Sequence, residues 1–406
     1  MNKKLFLKTF GCQMNDRDSE AIAGLFLEKG YALVESPEEA DVILVNTCSV
    51  RDHAENRAIS FLGSLKKLHE IRRTKDEGDV PRPSDSDVTS EERTSLVPRR
   101  VIGLIGCMAR NRGEELLQKM PHLDLVCGPA QCAKIPEYVE KIQTEGVRLI
   151  NIEDEERDEV LYHPLFRAVE GQAQIVISTG CSNFCSYCVV PYVRGPLRLR
   201  EPQDIIDEVK RNLELGIKKI TLLGQNVNDY LCRSPGHKVT RSPVTFVDLL
   251  KMVAEIEGVE EIDFITSHPK NTSRDLFSLM REYKNIKKHL HLPFQSGSNR
   301  ILELMNRGYT KEEYFSLIKD YKNIVKGTLS TDIIVGFPTE KEEDFLHTKD
   351  VMEEVRFRFA YIFKYSPRSD TGAFQREDDV PEEEKKRRHR MLLDLQKEIN
   401  KEHYAG

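Results

Sequence analysis

The stretch STGCSNFCSYCVVPYVRG, beginning at Ser178, carries Cys181, Cys185 and Cys188 at C-x-x-x-C-x-x-C spacing. Three cysteines fall short of the four-ligand cage of a structural zinc ion and exceed what one disulfide uses. Three thiolates can hold a [4Fe–4S] cluster by three of its four irons and leave the last iron open. Close cysteine spacing on a loop suits such clusters. Ser182, Asn183, Ser186 and Tyr187 keep the loop polar and able to wrap one. The competing readings are a zinc site that borrows a His or Cys from elsewhere, and three ordinary thiols.

A second set of thiols closes apolar runs. LFLKTFGC, DVILVNTC and VIGLIGC put Cys12, Cys48 and Cys107 at the ends of strand-like segments, and LDLVCGP does the same for Cys127. In an open parallel sheet those ends share one edge, where ligands gather, so residues far apart in the chain can meet around one centre. Position alone does not separate Cys127 from the other three. Small cysteines packed beside glycine would give the same pattern. Asn15 and Asn46 flank two of these thiols; they read either as donors to cluster sulfur or substrate, or as ordinary turn residues.

The elements that must position these groups follow from periodicity. Apolar runs at 3–10, 41–46, 100–106 and 123–127 alternate with helical spacing at 16–29, 52–70, 111–119 and 133–142, which predicts an open parallel α/β sheet. Residues 72–98 are polar, proline-containing and aperiodic, the composition of a flexible insertion. An acidic stretch then reads as a linker, placed at 151–170. Beyond it, strand-like runs at 174–179, 217–223, 261–266, 288–293, 328–335 and 358–364 alternate with helices. These lie at 203–215, 246–256, 273–282, 298–323 (broken) and 341–354. Six such units suit a partial (β/α)6 barrel, whose functional rim is at the carboxyl ends of the strands. The three-cysteine loop directly follows the first of them. Gln225, Ser267, Gln295 and Asp332 fall near the ends of later strands. The domains expected are therefore 1–150 and 171–406.

Composition bounds the rest. The chain has 406 residues, 39% hydrophobic and 32% charged, with no apolar run of the ~18 residues a membrane span needs. A cytoplasmic protein is expected, in which the nine cysteines serve as ligands or free thiols rather than disulfides. The net charge of −6 confines any nucleic-acid contact to local patches. Two are visible: Arg194, Arg198 and Arg200 after the cysteine loop, and KKRRHR at 385–390, which reads equally as a solvated helix face.

The cysteine loop resembles the radical S-adenosylmethionine (SAM) superfamily, and the chain from 4 to 400 resembles its methylthiotransferase family. FGCQMN, NTCSVRDHAEN, GLIGCMA, TLLGQNVN, FITSHPK, HLHLPFQSGSNRILELMNRGYT and STDIIVGFP carry the likeness. GCQMN and NTCSVRDHAEN resemble the MiaB branch, which acts on tRNA. The resemblance implies that Cys181, Cys185 and Cys188 hold the radical SAM cluster and that Cys12, Cys48 and Cys107 hold an auxiliary [4Fe–4S] cluster. It leaves Cys127, Cys132 and Cys232 to packing or surface positions. It suggests SAM contacts for Gln225, Ser267, Gln295 and Asp332, and anionic contacts for Arg194 and Arg200.

The implied reaction adds a methylthio group to C2 of N6-isopentenyladenosine at position 37, next to the anticodon. SAM serves as both methyl donor and radical source. The implied partners are the tRNA anticodon stem-loop, a reductant such as flavodoxin or ferredoxin, and a sulfur or cluster donor, with the enzyme a monomer. RGPLRLR, where the family usually has a run like RGRERSR, brings in Pro196, Leu197 and Leu199; GFPTEKEEDF places Thr339 where glycine is usual. The family usually continues into a small β-barrel RNA-binding module, expected to be absent from this chain. The alternatives are a methylthiotransferase acting on an aspartate of a ribosomal protein, and a non-catalytic metal-cluster RNA-binding protein.

Overall fold

The computed structural model describes residues 2–49, 52–68, 100–153, 171–233 and 243–405. The insertion expected at 72–98 and nearly all of the linker expected at 151–170 lie outside the described residues. The chain divides into two compact units, Met1–Ala168 and Val169–Gly406.

The first unit is one parallel sheet built from β1 (Lys4–Phe10), β2 (Ala32–Leu33), β3 (Val42–Thr47), β4 (Val101–Gly106), β5 (Leu125–Cys127) and β6 (Leu149–Asn151). Their order is β2-β1-β3-β4-β5-β6. β3 and β4 are buried at every position, which is why VILV and VIGLIG are continuous apolar runs rather than alternating ones. Helices cover both faces. α1 (Gln13–Glu28) and the later α4 (Ile135–Glu145) pack on the face carrying Leu5, Val42 and Leu44. α2 (Asp52–Ser64) and α3 (Cys107–Lys119) pack on the face carrying Phe6, Ile43 and Leu104. The chain leaves β1 toward β2 on one side and returns to β3 on the other. The sheet therefore has its topological switch point between β1 and β3, where open α/β sheets form ligand crevices.

In the second unit β7 (Gln172–Val176) is followed by a short ribbon of β8 (Ser178–Thr179) with β9 (Arg198–Leu199). β10 (Lys219–Leu223) precedes a second ribbon, β11 (Leu231–Cys232) with β12 (Val244–Thr245). β13 (Glu261–Ile265), β14 (His289–His291), β15 (Thr328–Val335) and β16 (Phe359–Lys364) follow. Parallel sheets β13-β10-β7 and β14-β15-β16, linked by a parallel bridge between Ile262 and Ile286, run in chain order as an open six-unit barrel. The helices of this unit are α5 (Val190–Arg194), α6 (Pro202–Glu214), α7 (Phe246–Ala254), α8 (Arg274–Glu282), α9 (Asn299–Leu304), α10 (Lys311–Ile324), α11 (Glu342–Val355) and α12 (Glu382–Ala405).

The break expected in 298–323 has a local cause. Asn306 and Gly308 adopt positive φ (55° and 66°) after α9, and Thr310 starts α10 with a capping box closed by Glu313.

Each arginine-rich patch is partly buried, with Arg198 half-buried and Lys386, Arg387 and Arg390 exposed. Arg200 is buried in an ion pair with Glu208 at 2.6 Å, and Arg194 is buried as well. In α12, Lys385 and Arg388 are buried and pair with Asp378 (2.6 Å) and Glu340 (2.7 Å). Those two side chains dock α12, while Lys386, Arg387 and Arg390 stay at the surface.

Candidate metal centres

In the first unit the three thiols expected to act together occupy three neighbouring strand ends. Phe10 pairs with Thr47, and Thr47 with Gly106, so Cys48 and Cys107 each stand one residue beyond the last pair and Cys12 two beyond. Cys48 and Cys107 are buried and Cys12 is half-buried. Cys12 caps α1 and Cys107 opens α3, so two helix N-termini bring unsatisfied N–H groups toward this edge, which favours negative charge there.

The turns are cross-tied. Cys48 N donates to Phe10 O at 3.0 Å, and Thr47 Oγ1 to Ile105 O at 2.9 Å. Asn15 and Asn46 are bonded to one another and to both turns. Their amides bind the protein itself, with Asn15 Oδ1 also accepting from Cys12 Sγ at 3.3 Å. Gly106 (φ 89°) lies so close that a Cβ there would stand 2.4 Å from Asn46 Oδ1.

Cys127 differs from these three. It is still paired, opposite Ile105, and sits in the core with Leu125, Ile135 and Val139. Its Sγ finds only the carbonyls of Gly128 and Gln131, at 3.6 and 3.8 Å, and burial pushes its thiol well up.

In the second unit, Cys181, Cys185 and Cys188 share one wrapped loop and are free thiols. Gly180 (φ 69°) makes the wrap possible: a Cβ would come within 2.1 Å of Pro196 O. Cys181 N donates to Gly195 O (3.2 Å), Cys188 N to Cys185 O (2.9 Å), and Ser186 N to Met305 O (3.0 Å). The three thiols feel one another. Burial and then Cys185 push the Cys188 thiol up to about 12, although its side chain keeps some surface; burial first, and Cys185 among other groups, raises Cys181. Bound iron would instead hold such thiols deprotonated. Among the described residues no three His, Cys, Asp or Glu side chains are gathered as around a single ion. A cluster spreads its thiolates over separate irons.

The rim beside this loop holds buried polar atoms without partners: Ser178 Oγ, Asn226 Oδ1, Ser267 Oγ, His268 Nε2 and Gln295 Oε1. Buried polar groups are ordinarily bonded, so a cluster of exceptions fits a polar ligand. Ser267 and Gln295 were legible in the sequence as rim residues. Gln225 follows β10 and is half-buried. Asp332 instead lies within β15, 3.6 Å from His291 Nε2. Sequence reasoning missed Ser178 and Asn226; nothing in STGC or GQNVN distinguishes them from turn formers.

The radical SAM superfamily profile matches residues 175–352, and that of the Uncharacterized protein family UPF0004 matches residues 4–77. Two relatives are each named tRNA-2-methylthio-N(6)-dimethylallyladenosine synthase. The one from Clostridium beijerinckii is 41% identical over 97% of this chain and 80% of its own length. The one from Aquifex aeolicus is 41% identical over 98% and 84%. The chain belongs to this family of radical SAM tRNA-modifying enzymes.

Solved structures share the fold at low identity. The radical SAM methyltransferase TsrM from Kitasatospora setae aligns with TM-score 0.61 at 12% identity, over 92% of this chain and 75% of that one. The radical enzyme OxsB aligns with TM-score 0.52 at 12% identity, over 96% and 56%. No described helix is long and apolar enough to cross a membrane.

Proposed function

We propose that this chain is a tRNA methylthiotransferase that places a methylthio group on C2 of N6-isopentenyladenosine at position 37, beside the anticodon. SAM is both methyl donor and radical source. The observation that carries this reading is the presence of two separate three-cysteine sets. One lies on the loop after the first barrel strands, the other on adjacent strand ends at the switch point of the first unit. Cys181, Cys185 and Cys188 hold one [4Fe–4S] cluster, and Cys12, Cys48 and Cys107 the other. When bound, the first would pass the electron that cleaves SAM's C–S bond into methionine and a carbon-centred radical, and the second would offer a place for transferable sulfur.

The protein's own groups do the positioning. Each set offers three thiolates and no fourth, which leaves a coordination position open. Ser267 and Gln295, with unpartnered polar atoms, bind polar groups of SAM; Gln225, just beyond β10, and Asp332, whose carbonyl accepts from Gln295 N at 2.9 Å, complete the proposed contacts. The Asn15–Asn46 pair fixes two auxiliary turns before any ligand arrives, which keeps reorganisation small. An anticodon-loop adenine is already unpaired, so its C2 edge can reach a buried centre at modest cost. The partners this chemistry requires are tRNA, a one-electron reductant such as flavodoxin or ferredoxin, and a sulfur or cluster donor. The enzyme works as a cytoplasmic monomer.

Anaerobic reconstitution, incubation with isopentenylated tRNA or ribosomal peptide, and mass spectrometry of both tests the reading. A 2-methylthio nucleoside is expected. A modified peptide with unmodified tRNA would replace tRNA with a protein substrate, and iron uptake with no SAM cleavage would leave a binding module.

A further inference from the structure

Arg307 is a cation buried beside the cysteine loop, and among the described residues no carboxylate pairs with it. It is 5% exposed. Its Nη1 donates to Cys185 Sγ at 3.3 Å and to the Tyr187 hydroxyl at 3.4 Å. Its Nη2 donates to Pro293 O at 2.9 Å and its Nε to the Tyr309 hydroxyl at 3.3 Å. The guanidinium carbon lies 5.3 Å from the Tyr309 ring centre.

Every other group facing it is neutral. Burial, and then Arg307 itself, hold His268 down at about 2, so that ring carries no charge. Burial pushes the Tyr309 phenol up, away from phenolate. Asp229, an acid that acts on Cys181, accepts from Asn271 at 3.0 Å and is itself raised by burial. A buried, unpaired cation is strongly unfavourable, and proteins keep one where an opposite charge completes it. Of the atoms Arg307 touches, the Cys185 sulfur is the one that becomes anionic when it ligates iron.

We propose that Arg307 is a positioning residue for the loop centre: it orients Cys185 as a thiolate ligand and makes the cluster easier to reduce. This rests on the radical SAM reading above. An added electron adds negative charge, which a guanidinium at hydrogen-bond distance from a ligating sulfur stabilises. Charge and hydrogen bonds to the sulfurs are the levers that set such potentials. The reaction begins with that electron, so Arg307 brings the centre within reach of a one-electron reductant. The competing role is structural, bracing Pro293 and Tyr309 against the rim.

The two roles separate in the potential. The full chain, reconstituted with both clusters, is titrated redox-potentiometrically by electron paramagnetic resonance, with the auxiliary cluster as internal reference. Arg307→Met keeps the stem without the charge. It is expected to shift the loop cluster's reduction equilibrium about 10- to 100-fold toward the oxidised form, about 60–120 mV for one electron, with the auxiliary cluster unmoved. Arg307→Lys, which keeps the charge, should shift less than half as far. An Arg307→Met protein with full iron and an unchanged potential overturns the proposal. If Arg307→Met holds no iron at the loop, Arg307→Lys decides: near-native potential supports charge as the cause, and equal loss of iron overturns it. If the unsubstituted chain takes up no iron at the loop, the functional reading fails first and the proposal with it.

Discussion

Asn15 and Asn46 hold one another across the switch point: Asn15 Nδ2 donates to Asn46 Oδ1 at 3.0 Å, and Asn46 Nδ2 donates to Asn15 O at 2.9 Å. The same two amides reach Thr47 O (3.1 Å) and Ser19 Oγ (2.9 Å), and Asn15 Oδ1 accepts from Cys12 N at 3.3 Å. The turns that present Cys12 and Cys48 are thus one bonded unit. Asn46→Ala would remove one of the two acceptors of the buried Asn15 Nδ2 and the side-chain donor to Asn15 O, at a cost of about 1–3 kcal/mol. We expect lower stability to urea and faster loss of auxiliary iron to a chelator, with the loop centre's iron retained. Auxiliary iron that leaves at the native rate would show that the pair does not position these thiols.

Cys127 and Cys107 provide a matched comparison, since both end apolar runs of one sheet. Cys107 stands beyond the last ladder pair, whereas Cys127 is still paired and points into packed Leu125 and Val139. Cys127→Ala should keep full iron and activity and cost at most about 1 kcal/mol from a small cavity. Cys107→Ala should empty the auxiliary centre. Iron counting distinguishes them, and selective loss in Cys127→Ala would mean the ligand set is wrong.

Gly180→Ala tests the loop wrap directly. The new Cβ would meet Pro196 O at 2.1 Å and Gly195 O at 2.5 Å, and Gly195 O is also the acceptor for Cys181 N. Backbone strain of about 1–3 kcal/mol falls on the segment that gathers the three thiols. Reductive SAM cleavage should drop about 10- to 100-fold, while auxiliary iron stays. Native cleavage rates would show that the loop can re-form without its left-handed glycine.

His268 gives the fold a pH dependence with a defined sign. Burial, then Arg307 and Lys270, lower its native value to about 2 from an ordinary 6.5. Above pH 6.5 the ring is neutral in both folded and unfolded chains, and its contribution to stability is complete. As pH falls below 6.5, the unfolded chain takes a proton that the native ring refuses, so stability declines by about 1 kcal/mol per pH unit. Urea unfolding between pH 7 and pH 5 should show that slope, and His268→Gln should remove about one proton's worth of it. An unchanged slope in the variant would place the titration elsewhere.

The sequence made much of this legible, for physical reasons. VILV and VIGLIG announce doubly covered parallel strands because both faces of those positions are buried. The barrel strands read from shorter apolar runs, several only partly buried, such as β13 and β16, and the break before Thr310 from its capping chemistry. Short edge strands such as β2, with two residues, carry no periodic signal. The 24-residue α12 looked like a solvated charge run because ion pairing inside a docking seam cannot be told from solvent exposure by composition. Cys127 could not be separated from Cys107 by spacing, since one residue of register decides which thiol clears the ladder. Arg307 was invisible for a similar reason: burial of a charge is a tertiary property.

The two cysteine sets also differ in when they can exist. Cys181, Cys185 and Cys188 fall within one turn of chain, so closing their loop costs little entropy and needs few neighbours. Cys12, Cys48 and Cys107 are distant in the chain and come together only after β1, β3 and β4 have paired in register. Non-local pairing of that kind is slow and late in folding. In a full-length chain refolding from the unfolded state, the local loop can therefore offer iron an acceptor before the strand-edge site is assembled. Maturation of the holoprotein is ordered by topology: the auxiliary centre can be filled only in a chain whose first unit has already folded.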